Sequence, residues 1–344
     1  QKMKIAFDAR YIEKDGSGIS IYCKNLLESL LLIDEIHISV ITCKHLVQHL
    51  PEQEKLEKII CPYTIQNHPL QELWLTFKLP SILRRKGIEI LFCPAFIVPL
   101  LKPEQSLIVT IHDFVYHYAP SSTNKLFSFY AKFMTERAVR LSDKIITDTE
   151  TVKKELIALT CTQMEKIHVV YPGIPLAETE KNSNAELDAE FKILSKKLNI
   201  NKPYFIFVGN IEPRKDICRL VELFQNLRKN SLFKNYQLVL CGKKRWKWAI
   251  IEKNLTGKME NVVLTGYVSE KELKILYKNS RAVFATSLYE GFGFPVIEGI
   301  KAGKTVFASD IPCFREVGND CLSLIHISEP TRPLYISYAV FCLK

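Results

Sequence analysis

The chain has 344 residues, 47% apolar and 24% charged, which excludes a disordered polypeptide and suits two domains of roughly 150 residues better than one core. No uncharged apolar run reaches about 18 residues, so no membrane-spanning helix is expected, and the opening QKMKIAFDAR enters a strand rather than a signal-peptide core, which predicts a cytoplasmic protein. The formal charge of +10 is uneven: residues 1–175 carry 21 basic and 19 acidic side chains, residues 176–321 carry 24 and 17, so an anionic ligand is expected on the second half.

In chain order, the first half alternates β-branched runs with helical periodicity. The strands are KIAFDA, HISVITC, EILFCP, SLIVTIHD, KIITDT and KIHVVYPG, and the helices fall at 18–32, 69–85, 123–142 and 150–159. That alternation predicts an α/β domain with a doubly wound parallel sheet over 1–176. Gly16-Ser17-Gly18 precedes the first helix, either as a turn or as a glycine loop whose N–H groups face a phosphate or sugar. The run WLTFKLPSILRRKG is amphipathic, reading as a core-packed helix or as a peripheral contact with a membrane face. His112 follows the buried run SLIVTI, where a histidine can be structural, can contact a ligand or can carry a proton; Asp113 either orients its ring or caps the next turn. Ten cysteines without any CxxC pair predict reduced, buried thiols rather than disulfides or zinc.

Residues 177–202 carry no strand signal and form a connection, partly helical. The alternation then restarts over 203–321 with YFIFVG, QLVLCG, NVVLTG, RAVFAT and TVFASD, separated by helices such as 216–229 and 270–279. Small or polar residues end most of these strands, at the sheet edge where open α/β folds bind ligands. Past Gly209, Arg214 and Lys215 sit beside a helix start, as a diphosphate clamp or a solvent-facing basic turn. The loop KKRWKW mixes cations with aromatics but is too short for a nucleic-acid footprint, so no nucleic-acid partner is expected. LYEGFGFPVIE places Glu290 ahead of a turn made by Gly291, Phe292 and Gly293, and Glu298 inside the helix that follows, where Pro295 is tolerated. The two carboxylates are then expected to hold different parts of one elongated ligand rather than to share a proton.

The last segment, LSLIHISEPTRPLYISYAVFCLK, lacks caps and a clean period. Leu322 to Arg332 and Ile336 to Leu343 resemble two ends of a translated sequencing-library adapter, with Pro333-Leu334-Tyr335 in the place of an index. Residues 322–344 are therefore expected to be a non-native tail, the alternative being an unusual genuine one, and the second domain to be incomplete.

Taken together, KIAFDAR…GSGISIY, LIVTIHD, KIHVVYPGI, YFIFVGNIEPRKD and VVLTGYVSEKELKILYKNSRAVFATSLYEGFGFPVIEGIKAG resemble the glycosyl transferases group 1 family over nearly all of residues 3–321, with wording closest to bacterial mannosyltransferase-like members. The resemblance implies a GT-B fold, two Rossmann-like domains facing a cleft, with the acceptor side on 1–176 and the nucleotide sugar on 203–321. It implies a retaining hexosyltransferase of surface polysaccharide synthesis using a nucleotide-diphosphate sugar such as GDP-mannose and a lipid-linked or oligosaccharide acceptor, with no bound metal and no cofactor beyond the donor. By position, Arg214 and Lys215 bind the diphosphate, Glu290 with the backbone of Gly291, Phe292 and Gly293 holds the transferred sugar, Glu298 binds the ribose, His112 lies near the reacting centre, and Gly16 to Gly18 lie by the phosphates and acceptor. Two departures stand out: Asp148-Thr149-Glu150 replaces the usual serine-glutamate, and VYPG replaces VPNG. Readings of another kind are a sugar-nucleotide epimerase or phosphorylase of this fold, or a non-catalytic sugar-nucleotide-binding protein.

Overall fold

The structure, a computed structural model, describes residues 2–13, 16, 18–51, 56–63, 68–173 and 184–325. The chain divides into two units, Gln1–Phe114 with Leu126–Pro175, and Val115–Lys125 with Leu176–Lys344. The stretch Val115–Lys125 thus groups with the second unit, which a boundary drawn along the sequence at 176 does not anticipate.

The first unit is built on a parallel sheet of β1 (Met3–Asp8), β2 (Ile36–Cys43), β3 (Glu57–Cys61), β4 (Ile90–Cys93), β5 (Ser106–Ile111), β6 (Lys144–Thr147) and β7 (Ile167–Val169), in the order β3-β2-β1-β4-β5-β6-β7. Six of these match expected strands; β3 does not. It is an edge strand whose Ile60 is exposed and which opens on Glu57 and Lys58, so a short run buried on one side carries little of the apolar signal that marks a strand. The helix expected at 69–85 is present with an internal π turn, Trp74–Lys78. Pro80 follows it, and a proline has no N–H to return to the preceding turn, which is a recognised cause of such a bulge.

The second unit carries β8 (Tyr204–Val208), β9 (Gln237–Cys241), β10 (Val262–Gly266), β11 (Ala282–Ala285), β12 (Thr305–Ser309) and β13 (Leu322–Ile325), in the order β10-β9-β8-β11-β12-β13, all parallel. Alternate residues of β8 face opposite ways: Phe205 and Phe207 pack with Leu220, Val221 and Phe224 of helix Ile217–Leu227, whereas Tyr204 and Ile206 pack with Ile275 and Leu276 of helix Glu270–Asn279 and Val296 of helix Phe294–Lys301. Both faces are thereby covered, as the near-continuous apolar strands require. Within the connection at 177–202, helix Asn184–Leu198 inserts Leu194 into the same core as Tyr204. The expected tail at 322 begins with β13, whose Leu322 to Ile325 pair with Val306 to Ser309; a short apolar run of this kind satisfies the open backbone edge of β12. Residues 326–344 lie outside the described part.

Strand order reverses between β1 and β4 in one sheet and between β8 and β11 in the other. Loops leaving two neighbouring strands on opposite sides of such a switch point leave a crevice at the carboxyl edge. In the second unit those are the loops after β8 and β11, which carry the basic pair and the first of the two glutamates.

Candidate active site

The loops after β8 and β11 join through a buried ion cluster. Arg214 donates from Nη1 to Glu290 Oε2 at 2.5 Å and to the Tyr289 carbonyl at 2.9 Å, and from Nη2 to Glu212 Oε1 at 2.7 Å. Lys215 Nζ donates to Glu290 Oε1, which also accepts from Ser287 Oγ at 2.6 Å. Backbone bonds fix the register of the two loops: Leu288 N–H reaches the Arg214 carbonyl at 2.8 Å, and Thr286 Oγ1 reaches the Lys215 carbonyl at 2.9 Å. The side chains of Lys215, Glu290 and Arg214 are only 10, 11 and 14% exposed. Burial by itself would raise the Glu290 carboxyl, but Arg214, Lys215 and the hydrogen bonds outweigh it and hold the group at about 2. Lys215 is pushed down, mainly by burial and further by Arg214, against the pull of Glu290. Both groups are thus lowered, because Glu290 is served by two cations whereas Lys215 is buried and shares its one carboxylate with Arg214. Gly209, at the end of β8, donates its N–H to Cys241 at 2.9 Å and lies beside the Lys215 stem.

Glu298 is held apart from this cluster. Its Oε2 accepts from Tyr277 Oη at 2.8 Å, and burial raises its carboxyl above the ordinary range while the Tyr277 bond opposes that rise. The two glutamates therefore meet different partners and share no proton. Between them, Gly291, Phe292 and Gly293 form the turn into helix Phe294–Lys301, with Phe292 accepting from Cys313 Sγ at 2.9 Å. Gly293 is required twice over: its φ is +99°, and a Cβ there would lie 2.5 Å from the Phe314 ring.

On the first unit, His112 follows β5, Asp148 follows β6 and Pro94 follows β4, three neighbouring strands. Ile111 and Thr147 are register partners, so the next residues, His112 and Asp148, emerge side by side. His112 Nδ1 lies 2.7 Å from Asp148 Oδ2 and Nε2 lies 2.8 Å from the Pro94 carbonyl. Asp148, emerging in register on the next strand, is the carboxylate that meets the ring nitrogen, where the sequence suggests Asp113. Burial works against a charged imidazole here, but Asp148 first and then the Pro94 carbonyl and Asp113 lift His112 above its ordinary value. The Tyr22 ring, from helix Gly18–Leu30, meets the His112 ring edge-to-face at 4.7 Å, and Tyr22 Oη bonds Thr110 Oγ1 at 3.1 Å.

Gly16 packs against Ser20, where an added Cβ would fall 2.0 Å from Oγ, and Gly18 is the first residue of its helix; Ser17 lies outside the described residues. Arg10, a further cation at this sheet edge, is fully committed to Asp8 at 2.6 and 2.8 Å and to Gln71 at 3.0 Å. Sequence reasoning missed Asp148, Ser287, Glu212 and Tyr277 as partners. The paired strand endings TIH and ITD, and the spacing of Ser287 and Glu290 within one loop, were the available signals. No group of three or more His, Cys, Asp or Glu able to hold a metal ion occurs among the described residues.

Residues 189–327 match the model for Glycosyl transferases group 1, and residues 16–178 match the model for Glycosyltransferase Family 4. The chain thus carries two glycosyltransferase domains, and it is a glycosyltransferase. Among curated relatives of this glycosyltransferase, the O-antigen chain mannosyltransferase RfbU of Salmonella typhimurium is 25% identical over 323 residues, 88% of this chain and 81% of that protein. The O-antigen chain mannosyltransferase B of Escherichia coli is 33% identical over 122 residues, 34% of this chain and 31% of that protein. Solved structures share the fold: WaaG, a glycosyltransferase involved in lipopolysaccharide biosynthesis, aligns with a TM-score of 0.69 at 17% identity over 93% of this chain and 85% of that one. Anabaena HepE in complex with UDP-glucose aligns with a TM-score of 0.66 at 15% identity over 91% and 82%.

Proposed function

We propose that this glycosyltransferase moves a hexose, mannose in the first instance, from a nucleotide-diphosphate sugar to a lipid-linked or oligosaccharide acceptor of a surface polysaccharide, with retention of anomeric configuration. The observation that carries the reading is the Arg214, Lys215 and Glu290 cluster at the switch point of the second sheet. The mannosyltransferase names of the relatives support the choice of sugar.

In this reading the donor diphosphate takes over the two cations. Its oxygens replace the Glu290 carboxylate at Arg214 and Lys215, and Glu290 turns to the hydroxyls of the transferred sugar. As the glycosidic C–O bond breaks, negative charge grows on the departing diphosphate, and cations already fixed and desolvated stabilise it without reorganising. The acceptor oxygen attacks on the same face and its proton passes to the leaving phosphate, so no carboxylate has to bond to the anomeric carbon. Glu298 accepts from the ribose diol. The reaction as written draws on no metal ion.

A peripheral contact with a membrane accompanies a lipid-linked acceptor. Phe77, Leu73 and Leu70 are exposed on one side of the amphipathic run, as are Leu126, Phe129 and Phe133 on helix Lys125–Leu141. The two stretches touch where Tyr130 Oη donates to Glu72 at 2.6 Å. No helix among the described residues is long and apolar enough to cross a membrane.

The test is transfer from a panel of nucleotide sugars to polyprenyl-linked and free oligosaccharide acceptors, with and without EDTA. GDP-mannose is expected to serve, with the product α-linked and the rate unchanged by chelation. Turnover of donor without acceptor would replace this reading with epimerisation, and loss of activity in EDTA would remove its metal-free step.

A further inference from the structure

We propose that Asp148 is the positioning residue for His112, clamping the ring with the Pro94 carbonyl so that both nitrogens are donors and His112 carries a fixed positive charge at the carboxyl edge of the first sheet rather than a free nitrogen. The inference rests on the glycosyl-transfer reading above for its kinetic arm, but the clamp stands on its own geometry.

The two contacts to the ring, 2.7 Å to Asp148 Oδ2 and 2.8 Å to the Pro94 carbonyl, leave neither nitrogen open. A carbonyl oxygen only accepts, so Nε2 carries a proton; with Asp148 ionised, Nδ1 carries one too. The His112 and Asp148 side chains are 12 and 5% exposed, and Tyr22 closes one side of the ring. A ring held this way cannot take a proton from an acceptor hydroxyl. Its charge, by contrast, lies in a dry setting where it acts at full strength on negative charge that develops beside it. The second oxygen of Asp148, Oδ1, is buried with no hydrogen-bond partner among the described residues. An unpartnered buried carboxylate oxygen is costly unless the charge has another use, and the imidazolium supplies one. The titratable groups around the ring are Asp148 from the β6 loop, Asp113 beside it and Tyr22 from the first helix, with the Cys23 thiol next to Asp148.

The experiment compares the full chain with Asp148→Asn and Asp148→Glu. Nitrogen-15 NMR of the His112 ring is recorded against pH in the unliganded protein, and kcat and KM are measured from pH 5.5 to 9. Wild-type His112 is expected to stay doubly protonated through pH 7. Asp148→Asn is expected to lower its titration midpoint by at least one pH unit and to reduce kcat at least tenfold at pH 8 while donor KM stays within twofold, with activity falling as pH rises through the new midpoint. Asp148→Glu is expected to restore much of both. Should Asp148→Asn fail to fold, the wild-type and Asp148→Glu titrations still decide the protonation state. A wild-type ring with one bare nitrogen at pH 7 would overturn the proposal, as would an unchanged midpoint in Asp148→Asn or an activity in that variant that rises with pH. If the wild type transfers no sugar while the NMR arm behaves as described, the functional reading fails and the clamp stands.

Discussion

Lys215 and Arg214, adjacent in the loop after β8, close on the single carboxylate of Glu290 across two neighbouring strands. The cluster brings together two clamps that the sequence suggested as separate, one for phosphate and one for sugar. Replacing Glu290 by Gln leaves two desolvated cations facing a neutral amide. Breaking a buried pair from one side typically costs about 3–5 kcal/mol, so Glu290→Gln is expected to lower the urea midpoint measurably while still binding phosphate. Isothermal titration with GDP should show a diphosphate affinity retained or increased, because the competing carboxylate is gone; a loss of more than tenfold would mean the cations do not meet the diphosphate.

The same carboxylate sets an acid limb of stability. Its folded value, about 2, lies below the ordinary 4.5, so the folded state binds fewer protons than the unfolded one between these values. Its stabilisation is complete above pH 4.5 and is lost as pH falls toward 2, an amount on the order of 3 kcal/mol. Lys215 stays charged in both states across this window and leaves the slope unaltered. Urea unfolding at half-unit steps from pH 5 to pH 2.5 should therefore be steeper in the wild type than in Glu290→Gln; equal slopes would contradict the assignment.

Glu298 carries the opposite sign. Burial raises its carboxyl and the Tyr277 hydroxyl partly relieves that. A raised carboxyl penalises the ionised folded state, a penalty present above the folded value and removed as pH drops below it. Tyr277→Phe deletes the relieving bond, worth about 1.5 kcal/mol to a charged acceptor. Its stability deficit should be largest near pH 8 and should shrink toward pH 4, read by thermal unfolding at both.

Gly293 offers a separable test of backbone and packing. Alanine there meets the Phe314 ring and must also adopt φ +99°. Expected destabilisation exceeds about 2 kcal/mol, of which roughly 1–2 is backbone strain. In a double-mutant cycle with Phe314→Leu, only the clash should be recovered. Full recovery would mean that the turn tolerates alanine.

The exposed apolar stripes predict a surface effect. Phe77→Ser combined with Phe129→Ser removes two large exposed rings, 67 and 71% accessible, and should weaken sedimentation with vesicles of mixed neutral and anionic lipid by at least tenfold without changing thermal stability. Unaltered sedimentation would place any membrane contact elsewhere.

Much of this architecture was legible in the sequence for one reason: both sheets are parallel and covered on two faces, so strands such as YFIFV and QLVLC read as apolar runs and their ends fall at the ligand edge. Arg214, Lys215 and Glu290 could be picked out as chemistry-bearing but not as one cluster, because their meeting depends on β8 lying beside β11, a non-consecutive pairing that no local pattern encodes. Asp148 was passed over for the same reason. Its tie to His112 runs between strands, whereas Asp113 is next in sequence and drew the attention. β3 escaped because an edge strand with one buried side and two charged residues at its start gives almost no period to read.

The placement of Val115–Lys125 has a mechanical consequence. Tyr118 stacks on Tyr289 at 5.3 Å, and Lys247 donates to the Ser121 carbonyl at 2.7 Å, so this short excursion of chain is fastened to the unit that also owns Glu290. The polypeptide accordingly passes from one unit to the other at Phe114/Val115, at Lys125/Leu126 and at Pro175/Leu176. Any rotation of one unit against the other must be absorbed by torsions at three backbone junctions rather than one. Expressing residues 176 onward alone would deprive Tyr289 of its stacking partner and Lys247 of its acceptor.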